Sequence, residues 1–199
     1  MAMNDGLSEL FSKIDALLLK GRVILAIEGG SAGGKTTLGN ILLQKYDCSL
    51  IHADDFFLPP EKRTAERLCE VGGNFDRERF YDEVVLPLTR GETVEYRPFL
   101  CSSSSFGEKR IIEPNRLTVV EGAYSAHQDL GRYYDILAFL DIDEDYQRKR
   151  ILRRNTPDMA ERFFGEWIPY ENAYFSATEI KKRSDIIIPI KENEAKEDV

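Results

Sequence analysis

The chain has few of the residues that build metal cages and disulfide frames. Its 199 residues include only three cysteines, two histidines and one tryptophan. Cys48, Cys69 and Cys101 show no C-x-x-C spacing, which argues against a thiolate zinc site or a disulfide framework. Free thiols fit a reducing cytosol, so the expected location is cytoplasmic. With only His52 and His127, a histidine-rich metal centre is excluded as well, and His52, at the end of an expected strand, reads as structural. No apolar run approaches the ~20 residues of a membrane span, and Met1 to Asp5 lacks the charged-then-apolar pattern of a signal peptide. Positive charge is also in short supply. Lys and Arg number 27 against 35 for Asp and Glu, a formal charge of −8, which argues against bulk nucleic-acid binding because that affinity rests on neutralising phosphates. Neither internal repeats nor a low-complexity linker occur, and Lys191 to Val199 reads as a charged, frayed end.

Hydrophobic residues make up 42% and charged residues 31%, the balance of an ordinary soluble protein. The length suits one α/β domain over residues 1–199 and not two. Within it, GGSAGGKTT from Gly29 to Thr37 follows the apolar run Val23 to Ile27. Gly29, Gly34, Lys35 and Thr36 satisfy G-x-x-x-x-G-K-[ST], in the strand–loop–helix setting that a phosphate-binding loop requires. Gly29, Gly30, Gly33 and Gly34 let the backbone approach an anion closely, with Ser31 and Ala32 between them. Successive N–H groups, Lys35 and the start of the next helix at Thr36 and Thr37 can then face phosphates. Lys35 would reach the β- and γ-phosphates and the Thr36 hydroxyl would ligate Mg²⁺. The ligand expected from these residues is a nucleoside triphosphate with Mg²⁺.

The rest of the chain alternates apolar β-runs with helical periodicity. Leu7, Leu10, Phe11, Ile14, Leu17 and Leu18 predict a helix stopped at Gly21. Strands are expected near Arg22–Glu28, Ser49–Ala53, 117–120, 136–140 and 185–190. A helix is expected over Asp76–Thr89, capped by Asp76, and a short excursion of strands at 93–100 and 109–112. This implies a doubly wound, mainly parallel sheet of about five strands, with a helical lid over roughly 144–182. Ligands in such folds collect at the carboxyl ends of strands. Asp54, Asp55 and Glu121 fall there. A hydroxyl acceptor must lose a proton during phosphoryl transfer, so Asp54 suggests a base and an alcohol acceptor. Glu121 ends its strand as a Walker-B acid would, and Thr36, Asp54 and Glu121 form the candidate metal group. Arg150, Arg153 and Arg154 share one helix face and can close over the γ-phosphate.

Taken together, GGSAGGKTT, HADDFF, NFDRERF, VVEGAYS and RKRILRRN resemble the uridine kinase and phosphoribulokinase-like group of P-loop kinases. Nicotinamide riboside kinases and bacterial uridine-kinase-like proteins stand in the same neighbourhood. The likeness runs in order over most of the chain. It implies an ATP- and Mg²⁺-dependent kinase acting on a hydroxyl of a small molecule, a nucleoside or riboside. By this resemblance Asp54 matches the catalytic aspartate, Glu121 the metal-associated acid and Asp76 an acid that holds ribose hydroxyls. Departures occur at Tyr96–Cys101, where an acidic residue is replaced at Leu100 and Arg97 adds positive charge to the substrate region. Trp167 and Tyr170 are candidates for stacking on a planar ring. Two alternatives stay open: a nucleoside monophosphate kinase gripping its acceptor through Arg77, Arg79 and Arg97, and a nucleotide-dependent switch or binding protein, though no guanine-reading N-K-x-D occurs. A homodimer is also left open.

Overall fold

A computed structural model describes residues 2–192; most of the expected charged tail, 193–199, lies outside them. Helix α1 (Ala2–Leu18) leads into β1 (Val23–Gly29), α2 (Lys35–Lys45) and β2 (Cys48–His52). Short turns of helix follow, among them α3 (Ala65–Leu68), and then α4 (Arg77–Phe80) and α5 (Leu86–Arg90). Two small antiparallel pairs come next, β3 (Val94–Tyr96) with β6 (Arg110–Ile112), and β4 (Phe99–Leu100) with β5 (Ser105–Phe106). The chain continues through β7 (Leu117–Glu121), β8 (Ile136–Ile142), α6 (Glu144–Arg154), α7 (Pro157–Arg162), α8 (Ile168–Thr178), α9 (Ile180–Arg183) and β9 (Ile186–Ile190).

Five of these strands form one parallel sheet in the order β2-β7-β1-β8-β9. A parallel sheet is covered on both faces, which is why its strands read as continuous apolar runs. Residues alternate along β1. Val23, Leu25 and Ile27 pack with Leu10 and Ile14 of α1 and Leu38 and Leu42 of α2. Ala26 packs on the other side with Phe80, Val84 and Tyr174. Each fully buried Leu or Ile of this kind contributes about 1.5–3 kcal/mol. The architecture is the α/β P-loop fold expected from the sequence.

The helix expected over Asp76–Thr89 forms, with a difference. Asp76 caps it, accepting from the Arg79 N–H at 3.3 Å, but a π turn at Tyr81–Val85 separates α4 from α5. The Leu86 N–H bonds back to the Tyr81 carbonyl, five residues earlier. A second π turn, Phe163–Trp167, stands before α8 in the same way, with the Ile168 N–H bonded to the Phe163 carbonyl. A proline follows each turn within two residues, Pro87 and Pro169. A proline inside a helix has no N–H to donate, and its ring crowds the carbonyl four residues back. Widening the turn by one residue relieves that crowding.

The excursion between α5 and β7 is also more divided than expected. Its strands are short, and Ser105–Phe106 returns on Phe99–Leu100 to make a hairpin that the apolar pattern does not announce.

Candidate active site

Strand register brings the site together. Glu121 at the end of β7 lies beside Ile27 of β1 on one side and His52 of β2 on the other. Immediately beyond β1, the loop Gly29–Gly34 turns into α2. Gly29 has φ 141° and sits so close to β8 that a Cβ would meet the Leu140 carbonyl at 2.6 Å. Ala32 adopts φ 57°, and Gly34, with φ 98°, precedes the helix. Alternation of right- and left-handed residues turns successive N–H groups inward, and the first-turn N–H groups of α2 have no intrahelical acceptor. Lys35 is buried, and its Nζ donates to the carbonyls of Gly29 at 2.8 Å and Gly30 at 3.1 Å.

Beside the loop, the Thr36 hydroxyl donates to Oε1 of Glu121 at 3.1 Å. Glu121 is only 3% exposed. His52, read from the sequence as structural, is part of this group: its Nδ1 lies 2.5 Å from the same Oε1. That hydrogen bond and the Glu121 charge raise the His52 pKa, against the opposing effect of burial.

Asp54 and Asp55 separate cleanly. Both lie in the short turn Ala53–Phe56 that continues β2. Oδ2 of Asp55 accepts from Arg110 at 2.6 Å and from the Tyr96 hydroxyl at 2.9 Å, so it anchors the outer strand pair. Asp54 opens instead toward the cleft. Its Oδ1 packs against Gly122, where a Cβ would stand 3.1 Å away, and Gly122 takes the φ of 139° that this path requires. Surrounding protein raises the Asp54 pKa to about 6. Lys35 opposes the rise, whereas Glu121 and Glu171 reinforce it. Water reaching the exposed carboxyl tempers the desolvation part of that shift.

The remaining expected site residues are distributed as follows. Asp76 is 1% exposed; beyond its capping bond it accepts from Lys62 Nζ at 2.9 Å. Arg97 holds the hairpin, donating to the carbonyls of Gly107 at 2.8 Å and Phe106 at 3.3 Å. Trp167 is half-buried, packed edge-on against Phe163 and covered by the Arg162 guanidinium; Tyr170 lies half-buried two residues into α8. Of the three arginines, Arg150 lies nearest the loop, its guanidinium nitrogens 3.8 and 4.0 Å from where a Gly34 Cβ would stand. Arg153 and Arg154 are exposed in the last turn of α6.

Three buried polar residues join this group without a motif to announce them. Glu28, the last residue before the loop, is fully buried and accepts at Oε1 from the Ala126 N–H at 2.8 Å and the Tyr174 hydroxyl at 2.9 Å. Gln147 of α6 and Glu171 of α8 both bond to Ser31. Glu171 lies one residue past Tyr170, in a stretch the sequence offers only for its aromatics.

No family model matches the chain. A uridine kinase of Staphylococcus epidermidis is 28% identical over 186 residues, covering 83% of this chain and 86% of the relative. Among solved structures, a possible uridine kinase from Bacillus stearothermophilus aligns with a TM-score of 0.65 at 21% identity, covering 90% of this chain and 99% of that one. A presumed fructose transport system kinase from Silicibacter aligns at 0.62 and 22% identity, covering 79% and 85%. The resemblance carried by the ordered motifs is thus shared by curated relatives, and the solved structures share the fold.

Proposed function

We propose that the chain transfers the γ-phosphoryl group of ATP, with Mg²⁺, to a hydroxyl of a small molecule, a nucleoside or riboside. The observation that carries this reading is the pairing of a phosphate loop with a free carboxylate. Asp54 faces the cleft beside Glu121, while Oδ2 of its neighbour Asp55 is held by Tyr96 and Arg110. An alcohol acceptor needs a base; a phosphate acceptor is already anionic and needs cations instead.

The residues present fit the two groups. The N–H groups at the start of α2 suit phosphate oxygens. Thr36 and Glu121 present oxygen donors 3.1 Å apart, the donor type a hard cation takes, with water and phosphate completing its shell. Magnesium held there by Thr36 and Glu121 would neutralise charge on the transferring group. Lys35 and Arg150 would bind the phosphates from two sides, and Asp54 would accept the acceptor's hydroxyl proton on its carboxylate. By the family likeness, Asp76 would hold ribose hydroxyls, which would then share its carboxylate with Lys62.

The monophosphate-acceptor alternative is less well supported. Arg77 pairs with Glu70 and Asp129, Arg79 with Glu83 and Arg97 with the hairpin carbonyls, so each guanidinium proposed for that grip already holds other partners. Among the described residues, Nη1 of Arg79 is buried and unpaired. A switch protein would need no cleft-facing base. No helix among the described residues is long and apolar enough to cross a membrane, and a small-molecule acceptor needs none.

The test is substrate-dependent ADP release, with ATP and Mg²⁺, across nucleosides, ribosides, sugars and vitamin alcohols. Turnover with an alcohol and none with monophosphates is expected. Turnover confined to monophosphates would overturn the acceptor assignment.

A further inference from the structure

Ser31, the third residue of the phosphate loop, has every polar group engaged by helices distant in the chain. Its N–H donates to Oε2 of Glu171 at 2.8 Å and its hydroxyl to Oε1 at 2.7 Å. Its carbonyl accepts from Nε2 of Gln147 at 2.8 Å. Both partners are buried, Glu171 at 7% exposure. The approach is close enough to dictate the neighbouring residue: a Cβ on Gly30 would meet Gln147 Nε2 at 2.8 Å and Glu171 Oε2 at 3.8 Å.

A buried carboxylate against a loop built for a polyanion is a costly choice. It repels the ligand, and its own desolvation must be offset by good hydrogen bonds. Two short bonds to one residue supply that offset, since bonds to an ionised acceptor are roughly twice as strong as neutral ones. They also fix the turn through which the loop passes before Ala32, where the backbone takes its left-handed step, and Gly33, whose N–H bonds back to the Gly30 carbonyl. Gln147 stands one helical turn before Arg150 on α6, so the same helix that grips the Ser31 carbonyl carries the arginine beside Gly34.

We infer that Glu171 is a positioning residue for the nucleotide: by holding Ser31 at both its N–H and its hydroxyl, with Gln147 on the carbonyl, it sets the phosphate loop in its binding geometry and in register with Arg150. This deepens the kinase reading and rests on it. Glu171 touches no reacting atom; it acts through the loop.

The test measures ATP dissociation constants by calorimetry for the wild type, Glu171→Gln, Ser31→Ala and the double variant, alongside KM for the acceptor. Glu171→Gln keeps the volume but loses the charge and sets an NH₂ against one of the Ser31 donors. It should weaken ATP binding about 10- to 100-fold, the equivalent of losing charged hydrogen bonds. Ser31→Ala removes the hydroxyl bond alone and should cost less, roughly threefold to tenfold. The double variant should fall no further than Glu171→Gln, because the two residues act as one unit. Acceptor KM should stay within about twofold, a split that general loss of stability does not produce. ATP affinity unchanged or tightened in Glu171→Gln overturns the inference. Should that variant not fold, unchanged affinity in Ser31→Ala overturns it equally. A wild-type chain that fails to bind ATP defeats the kinase reading itself, whereas tight wild-type binding with insensitive variants defeats only the role of Glu171.

Discussion

Arg110 holds Asp55 at 2.6 Å from across the outer strand pair, and that one ion pair distinguishes two aspartates that are adjacent in the chain. Asp55 is anchored, with Tyr96 on the same oxygen; Asp54 is left facing the cleft. Asp54→Asn is therefore expected to lower kcat by about 100- to 10,000-fold, the usual contribution of a general base, while ATP binding survives. Asp55→Asn should act mainly on stability. Rates measured across a Mg²⁺ titration separate loss of the base from loss of metal.

The same carboxyl sets the acid limb of the pH profile. Desolvation and the nearby carboxylates push the Asp54 pKa up to about 6, a rise that water at the exposed carboxyl tempers, and only the deprotonated form accepts a proton. The kcat of the wild type should rise with pH, with its midpoint between the ordinary aspartate range and about 6, and fall about tenfold per unit below that midpoint. Asp54→Asn should remove this limb. A limb that persists unchanged in the variant belongs to another group.

Lys35 contributes through a charge already directed along the loop, held by the Gly29 and Gly30 carbonyls. Lys35→Ala should reduce kcat by roughly 100- to 1,000-fold, as loss of a preorganised donor at the transferring phosphate does elsewhere. Calorimetry and steady-state kinetics together check this; unchanged ATP affinity and turnover would remove the phosphate-loop assignment.

Among the arginines of α6, position predicts a ranking. Arg150 has a buried Nε without a protein partner and lies against Gly34, whereas Arg153 and Arg154 are exposed in the last turn. Arg150→Ala should lower kcat more than it raises the KM for ATP, by about 100-fold or more. Arg153→Ala and Arg154→Ala should each change kcat by less than about threefold in comparison. Equal effects at all three would return the face to a common role.

Glu28 predicts a pH dependence of stability instead of rate. Burial raises its pKa from 4.5 to about 7, although the Ala126 N–H, the Tyr174 hydroxyl and Lys35 oppose the shift. The folded protein thus retains a proton that the unfolded chain gives up. Stability is full below about pH 4.5, declines as pH rises toward 7 and stays reduced above it, by at most about 3 kcal/mol. Glu28→Gln keeps the acceptor that both donors use and cannot ionise. It should raise the melting temperature at pH 8 and change it little at pH 5; equal shifts at both would exclude the titration.

The inner strands β1, β7 and β8 are legible in the chain because burial on both faces leaves mainly apolar runs, while the edge strands β2 and β9 are only partly buried. The loop is legible because its glycines and Lys35 obey a fixed spacing. What escapes is polar and set by tertiary contact. His52 reads as structural until register sets it beside Glu121, and Glu171 is lost among neighbouring aromatics until α8 packs on Ser31. Glu28 hides inside an apolar strand, since nothing local reveals that Tyr174 waits for it. The two π turns are readable in retrospect from Pro87 and Pro169, whose missing N–H groups act on the turn before them.

The strand order carries a consequence for how the molecule is made. β1 and β2 are never hydrogen-bonded to each other, because β7 lies between them. A nascent chain that has emerged only as far as the small hairpins holds the phosphate loop and Asp54 on two strands with a gap between them, each with an unpaired edge. Such edges invite pairing with other chains, and parallel pairings closed late across long loops form slowly. Translation that stalls before Leu117 should therefore release an aggregation-prone fragment and no nucleotide-binding half, and the chain becomes safe from that fate only when Glu121 arrives to fill the slot.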